Sequence, residues 1–328
     1  MTEPHFRAEP SVPSGRLIGD RRQLAGVFLG VAVIFAASHA IQILTVWILS
    51  RLDLLSLLTP TVELILSSFS IYAVGMPLSL LMFRLSEPLT PSHRSISPMV
   101  FCGAVTVCFA LSLGGSYMGQ TVNTIVSILM KTPVVDPVGE MTDGTPFWVN
   151  FLTIAVAAPI MEEVFFRRLV IDRLRRYGDV FAVTVSGIVF GLAHGNFSQF
   201  FYATVIGIVL GILYCATGKL LYTVTIHFLF NATSVFLIEI FGSLTELLNS
   251  APEKLLQASF WQMVTTGGIL LFYLFCVVCA PIAARFLIPR LRPESPVRRL
   301  AAGAFLLNPA FWVAAIVLIG RFVLQTVG

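Results

Sequence analysis

Residues 147–168 read FWVNFLTIAVAAPIMEEVFFRR, a mostly apolar run that ends in two glutamates and two arginines. A membrane-spanning helix needs about 20 mostly apolar residues, because each residue rises roughly 1.5 Å across a hydrocarbon core of about 30 Å. An ionisable side chain at that depth costs at least a few kcal/mol, so it persists mainly where chemistry or transport needs it. Glu162, Glu163 and Arg167 are therefore candidate functional residues.

Similar apolar runs recur along the whole chain. Of the 328 residues, 56% are apolar and 12% are charged, which is typical of polytopic membrane proteins and unlike soluble globular domains. We predict an all-α polytopic membrane protein, a bundle of about eight to nine transmembrane helices around an intramembrane catalytic cavity. The nine candidate segments are 24–49, 61–83, 98–119, 147–168, 180–195, 199–217, 220–241, 262–288 and 303–325.

The distribution of Lys and Arg predicts the orientation, since short cytoplasmic loops retain positive charge. With the N-terminus in the cytoplasm, only Arg51, Lys131, Lys254 and Arg321 fall outside, which leaves 17 of the 21 basic residues inside. We therefore expect nine crossings of an integral, multi-pass protein. The net charge of +4 is assigned to topology and anionic lipid headgroups, and not to nucleic acid.

The chain divides into four parts at its polar stretches. We expect a flexible cytoplasmic tail over residues 1–23, N-terminal transmembrane helices over 24–130, a catalytic helical core over 147–241 and C-terminal transmembrane helices over 262–328. The five cysteines lie in or beside apolar segments, so no disulfide framework is predicted.

Helical periodicity separates the two adjacent glutamates. Side chains advance roughly 100° per residue, so Glu163 and Arg167 share one face while Glu162 points roughly 140° away from Arg167. Arg167 can then neutralise and orient Glu163, and Glu162 remains to face a cavity as a general base for water. The alternative is a purely structural ion-pair cluster at the end of the helix.

Two further polar pairs follow on the next apolar segments. His194 comes four residues after Phe190, and Asn231 comes four residues after His227, so each pair shares a helical face. His39 has no such partner and is interpreted as a core histidine. If the fourth helix continues to about Arg176, Glu162 and His194 lie at similar depth, about 20 Å along their helices. If it stops at Arg167, the two depths differ and Glu162 and His194 do not come together in one site.

The order Glu-Glu-x-x-x-Arg, Phe-x-x-x-His, His-x-x-x-Asn on successive apolar segments resembles the CPBP family, the CAAX protease and bacteriocin-processing (Abi) family of intramembrane proteases. The resemblance covers roughly residues 147–241 and implies an endopeptidase acting on a membrane-associated protein or peptide near the cytoplasmic face. It implies that Glu162 activates water with help from His194, while His227 and Asn231 stabilise the oxyanion. Glu163 and Arg167 would shape the site together with Phe190. Bacterial members make the bacterial cytoplasmic membrane the expected location.

Other interpretations remain open at this point. No cofactor is favoured, although Glu162, His194 and His227 with a water would make a catalytic zinc site. A proton- or cation-coupled transporter could use the same ionisable groups as a relay, and a non-catalytic immunity or binding protein could retain them. For the protease, we expect a cavity open to the cytoplasm or laterally to lipid. The sequence does not predict the oligomeric state.

Overall fold

The computed structural model describes residues 14–89, 92–131, 137–250, 260–290 and 305–327, and within these ranges it is helical without strands. A short 3₁₀ turn, Leu55–Leu57, joins the first two helices. The ten helices are α1 Ser14–Arg51, α2 Pro60–Phe83, α3 Pro98–Met130, α4 Pro137–Thr142, α5 Phe147–Tyr177, α6 Asp179–Ala193, α7 Phe197–Thr217, α8 Leu220–Ser250, α9 Phe260–Arg290 and α10 Pro309–Val327.

The all-α polytopic prediction is confirmed. In the described part of the chain, seven helices are long and apolar enough to cross a membrane, and α6 and α10 are shorter apolar helices. Each of the nine predicted segments overlaps one of these nine helices. Residues 1–13 of the predicted tail lie outside the described residues. From Ser14 onward the chain is helical and Asp20 accepts a hydrogen bond from the Tyr177 hydroxyl (3.1 Å), so residues 14–23 belong to the bundle and not to a flexible tail.

Helix α5 is continuous but not uniform. Its α-helical section Ala158–Glu163 lies between two π-helical stretches, Phe151–Ala157 and Val164–Ile171. Pro159 lacks an amide hydrogen and its ring crowds the preceding turn, which the wider π-helical turn accommodates. The same arrangement occurs in α2, where the π-helical stretch Ser70–Gly75 comes just before Pro77. Helix α5 continues to Tyr177 and does not stop at Arg167. Of the two alternatives in the sequence analysis, the one that gives Glu162 and His194 similar depth therefore holds.

Helix α7 is the centre of the packing, against α3 on one side and α6 on the other. Glycines allow these close approaches, as expected in lipid, where packing rather than water exclusion drives helix association. A β-carbon added at Gly115 would lie 2.6 Å from the Tyr202 Cα, and one at Gly207 would lie 3.0 Å from the Gly187 Cα. Helices α1, α2 and α10 form a second group, and α8 packs along the first half of α5.

The ends of α5, α6 and α7 that meet near Tyr177 are held by polar side chains. The Tyr214 hydroxyl lies 3.0 and 3.1 Å from the two carboxylate oxygens of Asp172. Arg175 pairs with Asp179 at 3.1 Å and also donates to the Cys215 carbonyl oxygen at 3.3 Å. These contacts fix the three helices relative to one another at the end where α1 begins.

Replacing Gly115 by valine should destabilise the bundle, because the new side chain meets the backbone of α7. Overpacking of this kind typically costs about 1–3 kcal/mol. The neighbouring Gly114 is the matched control, since nothing lies within 4 Å of a β-carbon there. Thermal unfolding in detergent should show a lower midpoint for Gly115→Val than for Gly114→Val. Equal midpoints would contradict this packing.

Candidate active site

The Glu163 and Arg167 side chains form a fully buried ion pair, as their spacing predicts. Arg167 Nε donates to Glu163 Oε2 at 2.7 Å and Nη2 donates to Oε1 at 3.0 Å, with both side chains 0% exposed. The other terminal nitrogen, Nη1, donates to the Gly207 carbonyl oxygen (3.1 Å) and approaches Ser186 Oγ (3.4 Å). The pair therefore connects α5 to both α6 and α7.

His227 extends this pair to α8. Its Nδ1 lies 3.2 Å from Glu163 Oε1, and its ring is buried. An ionised carboxylate can only accept, so Nδ1 carries the hydrogen and Nε2 points to the other glutamate. Nε2 lies 3.8 Å from Glu162 Oε2, which is too long for a hydrogen bond. The imidazole thus stands between the two carboxylates.

Glu162 lies on the other face of α5 and lines both of the cavities described below. Its side chain is 21% exposed, whereas that of Glu163 is 0% exposed. The Tyr72 hydroxyl of α2 donates to Glu162 Oε1 at 3.0 Å. One carboxylate oxygen is therefore held by tyrosine, and the other points toward the His227 ring.

His194 ends α6, where its ring is fixed by Phe190. Its Nδ1 lies 2.8 Å from the Phe190 carbonyl oxygen, and since a carbonyl only accepts, Nδ1 carries the hydrogen. In the neutral ring Nε2 is then the acceptor nitrogen. The Phe190 ring packs edge-on against His194 and against His227, with centroids 4.9 and 5.6 Å away. Phe190 thus sets the orientation of both imidazoles.

Asn231 lies on α8, one helical turn after His227. Its Nδ2 donates to the Ile154 carbonyl oxygen at 2.8 Å, inside the first π-helical stretch of α5. An amide nitrogen carries two hydrogens, so one donor remains after this bond.

Two adjoining cavities meet at Glu162. The smaller, of about 200 Å³, is lined by all four predicted catalytic residues. The larger, of about 370 Å³, extends between α1, α2 and α5. Their shared lining residues are Tyr72, Met141, Glu162, His194 and Gln199.

Both cavities lie in the half of the bundle away from the N-terminus. Along α1 the larger cavity extends from the buried Phe35 to the exposed Val46, and along α2 it reaches the exposed Glu63 near the start of that helix. With the N-terminus in the cytoplasm, this rim faces the opposite side of the membrane. The predicted orientation and a cavity open to the cytoplasm therefore cannot both hold.

The three predicted zinc ligands, Glu162, His194 and His227, do not form a close cluster in the structure. No three His, Cys, Asp or Glu side chains in the described ranges are arranged closely enough to hold a metal ion. In both histidines Nδ1 faces an acceptor, Glu163 for His227 and a backbone carbonyl for His194, an orientation that metal-bound histidines also adopt.

Comparison with known families finds one match, to a segment that contains Glu162, His194, His227 and Asn231. Residues 144–233 match the family model described as Type II CAAX prenyl endopeptidase Rce1-like. This segment is 90 of the 328 residues, and it is similar to CAAX endopeptidases. The predicted resemblance to the CPBP family is confirmed for this segment, and the chain is an integral multi-pass membrane protein. No curated protein and no solved structure matches it significantly.

Two residues that line this site were missed by the sequence reasoning. Tyr72 contacts Glu162 from α2, and Arg321 of α10 lines the larger cavity, and both lie outside the matched segment. Arg321 was counted only for topology, although the cost of a charge at membrane depth applied to it as well. Tyr72 carries no comparable signal, since a tyrosine is common in apolar helices.

Replacing Arg167 by methionine should destabilise the protein strongly, because Glu163 stays buried without its counter-ion. Breaking such a pair from one side typically costs about 3–5 kcal/mol. Chemical unfolding in detergent micelles measures the loss. The matched control is Arg168→Met. The Arg168 side chain is 37% exposed and its Nη1 lies as far as 3.9 Å from Asp172 Oδ2, and an ion pair of this kind is worth about 1 kcal/mol or less.

The double variant Glu163→Gln with Arg167→Met removes both charges. It should lose less stability than Arg167→Met alone, because no unpaired charge stays buried. If its loss equals the sum of the two single losses, the pair does not act as a unit.

Proposed function

We propose that this protein is an intramembrane endopeptidase in which Glu162 activates the attacking water. The observation that carries the proposal is the small cavity at membrane depth that Glu162, His194, His227 and Asn231 line together. Its substrate is a membrane-associated protein or peptide. The same constellation, in a family of CAAX endopeptidases, favours peptide hydrolysis over the other interpretations.

Glu162 and His194 activate and orient the attacking water. Both side chains line the same cavity. The Tyr72 hydroxyl fixes one oxygen of the Glu162 carboxylate, and the Phe190 carbonyl fixes the His194 ring through Nδ1. A water between them would give one proton to Glu162 and be oriented by His194 Nε2. General-base assistance of this type contributes typically about 10²–10⁴-fold to the rate.

His227 and Asn231 on α8 supply the hydrogen-bond donors that stabilise the oxyanion. With a proton on both ring nitrogens, His227 donates to Glu163 through Nδ1 and presents Nε2–H to the cavity. The second hydrogen of the Asn231 amide is the other donor. Donors that are already oriented in a site shielded from water stabilise developing negative charge far better than they would in water. The Glu163–Arg167 pair keeps the His227 ring in place without itself touching substrate.

The shape of the cavities also favours a hydrolase over a transporter. Among the described residues, the larger cavity ends at the buried Phe165 and Phe166, and below these the helix ends are closed by the Asp172–Tyr214 contacts. A transporter needs a path that opens to each side in turn. A blind cavity with water access from one face is what a hydrolase needs. The immunity-protein alternative has no observation in its favour.

Replacing Glu162 by glutamine should abolish peptide cleavage, with a rate loss of about 10³-fold or more, because the general base is removed. His194→Ala should do the same. The readout is release of product from membrane-derived peptide substrates by purified protein in lipid vesicles. The control is Glu140→Gln, an exposed acid on α4 outside both cavities, which should keep full activity.

Two outcomes contradict the proposal. Undiminished cleavage by the correctly folded Glu162→Gln variant would remove the proposed base. Stoichiometric zinc in protein purified without chelator, with loss of activity on chelation, would replace the metal-free mechanism with a metal-dependent one. We expect activity to survive chelation.

The side from which substrate enters can be measured on α2, whose two ends lie at opposite faces. We expect Glu63→Cys, at the cavity rim, to react with a membrane-impermeant maleimide on intact cells. Arg84→Cys, exposed at the other end of the same helix, should react only after permeabilisation. The five native cysteines are replaced first. The reverse pattern would place the N-terminus outside and the cavity toward the cytoplasm.

A further inference from the structure

Gln199 is a polar residue of the cavities to which the reaction proposed above gives no role. It lies in the first turn of α7 and is one of the five residues that line both cavities. Of the other four, Met141 is apolar. The proposed reaction already uses the remaining three, Tyr72, Glu162 and His194. A peptide whose cleaved bond lies at Glu162 also lies beside Gln199, because both residues belong to the lining that the two cavities share.

The side chain of Gln199 is held in one orientation by Asn196, the residue that caps α7. Asn196 Oδ1 lies 2.9 Å from the Gln199 backbone nitrogen and accepts its hydrogen, since a backbone nitrogen only donates. Asn196 Nδ2 donates to the His194 carbonyl oxygen (3.0 Å) and to Gln199 Oε1 (2.8 Å), so both hydrogens of this amide are used within the protein. Gln199 Oε1 therefore points to Asn196, which is 4% exposed, and Nε2 points away from it.

The other end of the Gln199 amide keeps one hydrogen for a ligand. Nε2 donates to the Tyr202 hydroxyl at 2.9 Å, and the described residues supply no acceptor for its second hydrogen. Gln42 also lines the larger cavity, but its Nε2 donates to both Ser38 Oγ (3.2 Å) and Ser70 Oγ (3.0 Å). Of these two glutamines, only Gln199 retains a donor.

The surroundings of Gln199 indicate which acceptor its free donor takes. A peptide that enters a cavity at membrane depth leaves water, and each of its main-chain carbonyls then needs a donor, since an unsatisfied one costs several kcal/mol. A carbonyl inside a helix already has a donor, whereas a carbonyl in an extended segment does not. In the proposed reaction His227 and Asn231, which line only the smaller cavity, bind the carbonyl oxygen of the cleaved bond itself. Gln199 therefore remains for a neighbouring carbonyl.

We propose that the Gln199 side-chain amide donates a hydrogen bond to a main-chain carbonyl of the substrate next to the cleaved bond, in a segment that is extended there. The inference rests on the proposed endopeptidase function. Gln199 then binds substrate without touching the attacking water. Because the main chain is common to all peptides, this contact determines which peptide bond lies against Glu162, and not which side chains are accepted.

The test combines thioamide peptides with a variant of Gln199. One apolar fluorogenic peptide is prepared as a series in which the carbonyl oxygen of one peptide bond at a time is replaced by sulfur, a weaker acceptor. For the wild-type protein in lipid vesicles, we expect one position next to the cleaved bond to raise KM about fivefold with little change in kcat, the effect of losing one neutral hydrogen bond. Gln199→Met should raise KM for the oxygen peptide by a similar factor, and sulfur at that position should then have no further effect.

The matched control is Gln42→Met, because Gln42 lines the larger cavity with both amide hydrogens already used. It should leave the sulfur effect as large as in the wild type. Gln199→Met also removes an acceptor of Asn196, so the thermal midpoint in detergent is measured for each variant. If Gln199→Met does not fold, Gln199→Glu keeps the acceptor for Asn196 without the donor, and it should likewise abolish the sulfur effect.

Three results would overturn the inference. If sulfur raises KM at no position in the wild type, the substrate offers no main-chain carbonyl to the protein there. A sulfur effect that survives Gln199→Met, together with a lower thermal midpoint, would make Gln199 a purely structural residue. An effect of Gln199→Met that appears only for peptides with a polar side chain beside the cleaved bond would assign the amide to that side chain.

A failure of the proposed function is distinguishable from a failure of this inference. If the wild type cleaves none of the peptides, the same oxygen and sulfur series is labelled and titrated onto the Glu162→Gln variant, with and without Gln199→Met. A position at which sulfur weakens binding about fivefold, and only while Gln199 is present, supports the contact. Equal binding of the oxygen and sulfur peptides, or no binding of either, rejects it.

Discussion

The buried ion pair between Glu163 and Arg167 is the contact on which the rest of the site depends. Neither charge could stay in a lipid-embedded bundle alone, and with both side chains 0% exposed the pair must be satisfied entirely by protein. Arg167 does this with four contacts, two to Glu163 and one each to Ser186 and Gly207. Glu163 adds His227. One ion pair thereby fixes the relative positions of α5, α6, α7 and α8.

The close approach of α6 and α7 is a condition for that pair. The carbonyl of Gly207 accepts from Arg167, and the same glycine faces the Gly187 Cα and the Phe190 ring. A larger residue at either glycine would separate the helices and move Phe190. Phe190 in turn positions His194 and His227 through edge-on contacts, and its ring lies 5.8 Å from the Arg167 Cζ. The packing of small residues between α6 and α7 and the orientation of the His194 and His227 rings therefore depend on each other.

The sequence predicted contacts between residues that are close along the chain and missed contacts between residues that are far apart along it. Pairs four residues apart, such as Glu163 with Arg167, are set by helical geometry alone, and the apolar segments are set by the bilayer. The Tyr72 hydroxyl reaches Glu162 across 90 residues, and Asn231 reaches the Ile154 carbonyl across 77. Such contacts depend on how helices pack and on where π-helical turns shift the register of side chains, which local spacing does not specify. The catalytic roles of the four cavity residues stay predictions.

The position of the two cavities along the bundle indicates which half of the protein admits water. Near the end where α1 begins, Asp172, Arg175 and Asp179 have protein partners and the helices are closely packed. In the opposite half, Glu162 and Arg321 line open cavity space and keep hydrogen-bonding capacity for other molecules. A reaction that needs water in lipid requires such an asymmetry, because one closed half maintains the membrane barrier while the other admits substrate. The closed half also explains why so many of its charges are structural: they seal the helix ends beneath a site whose own charges must stay available.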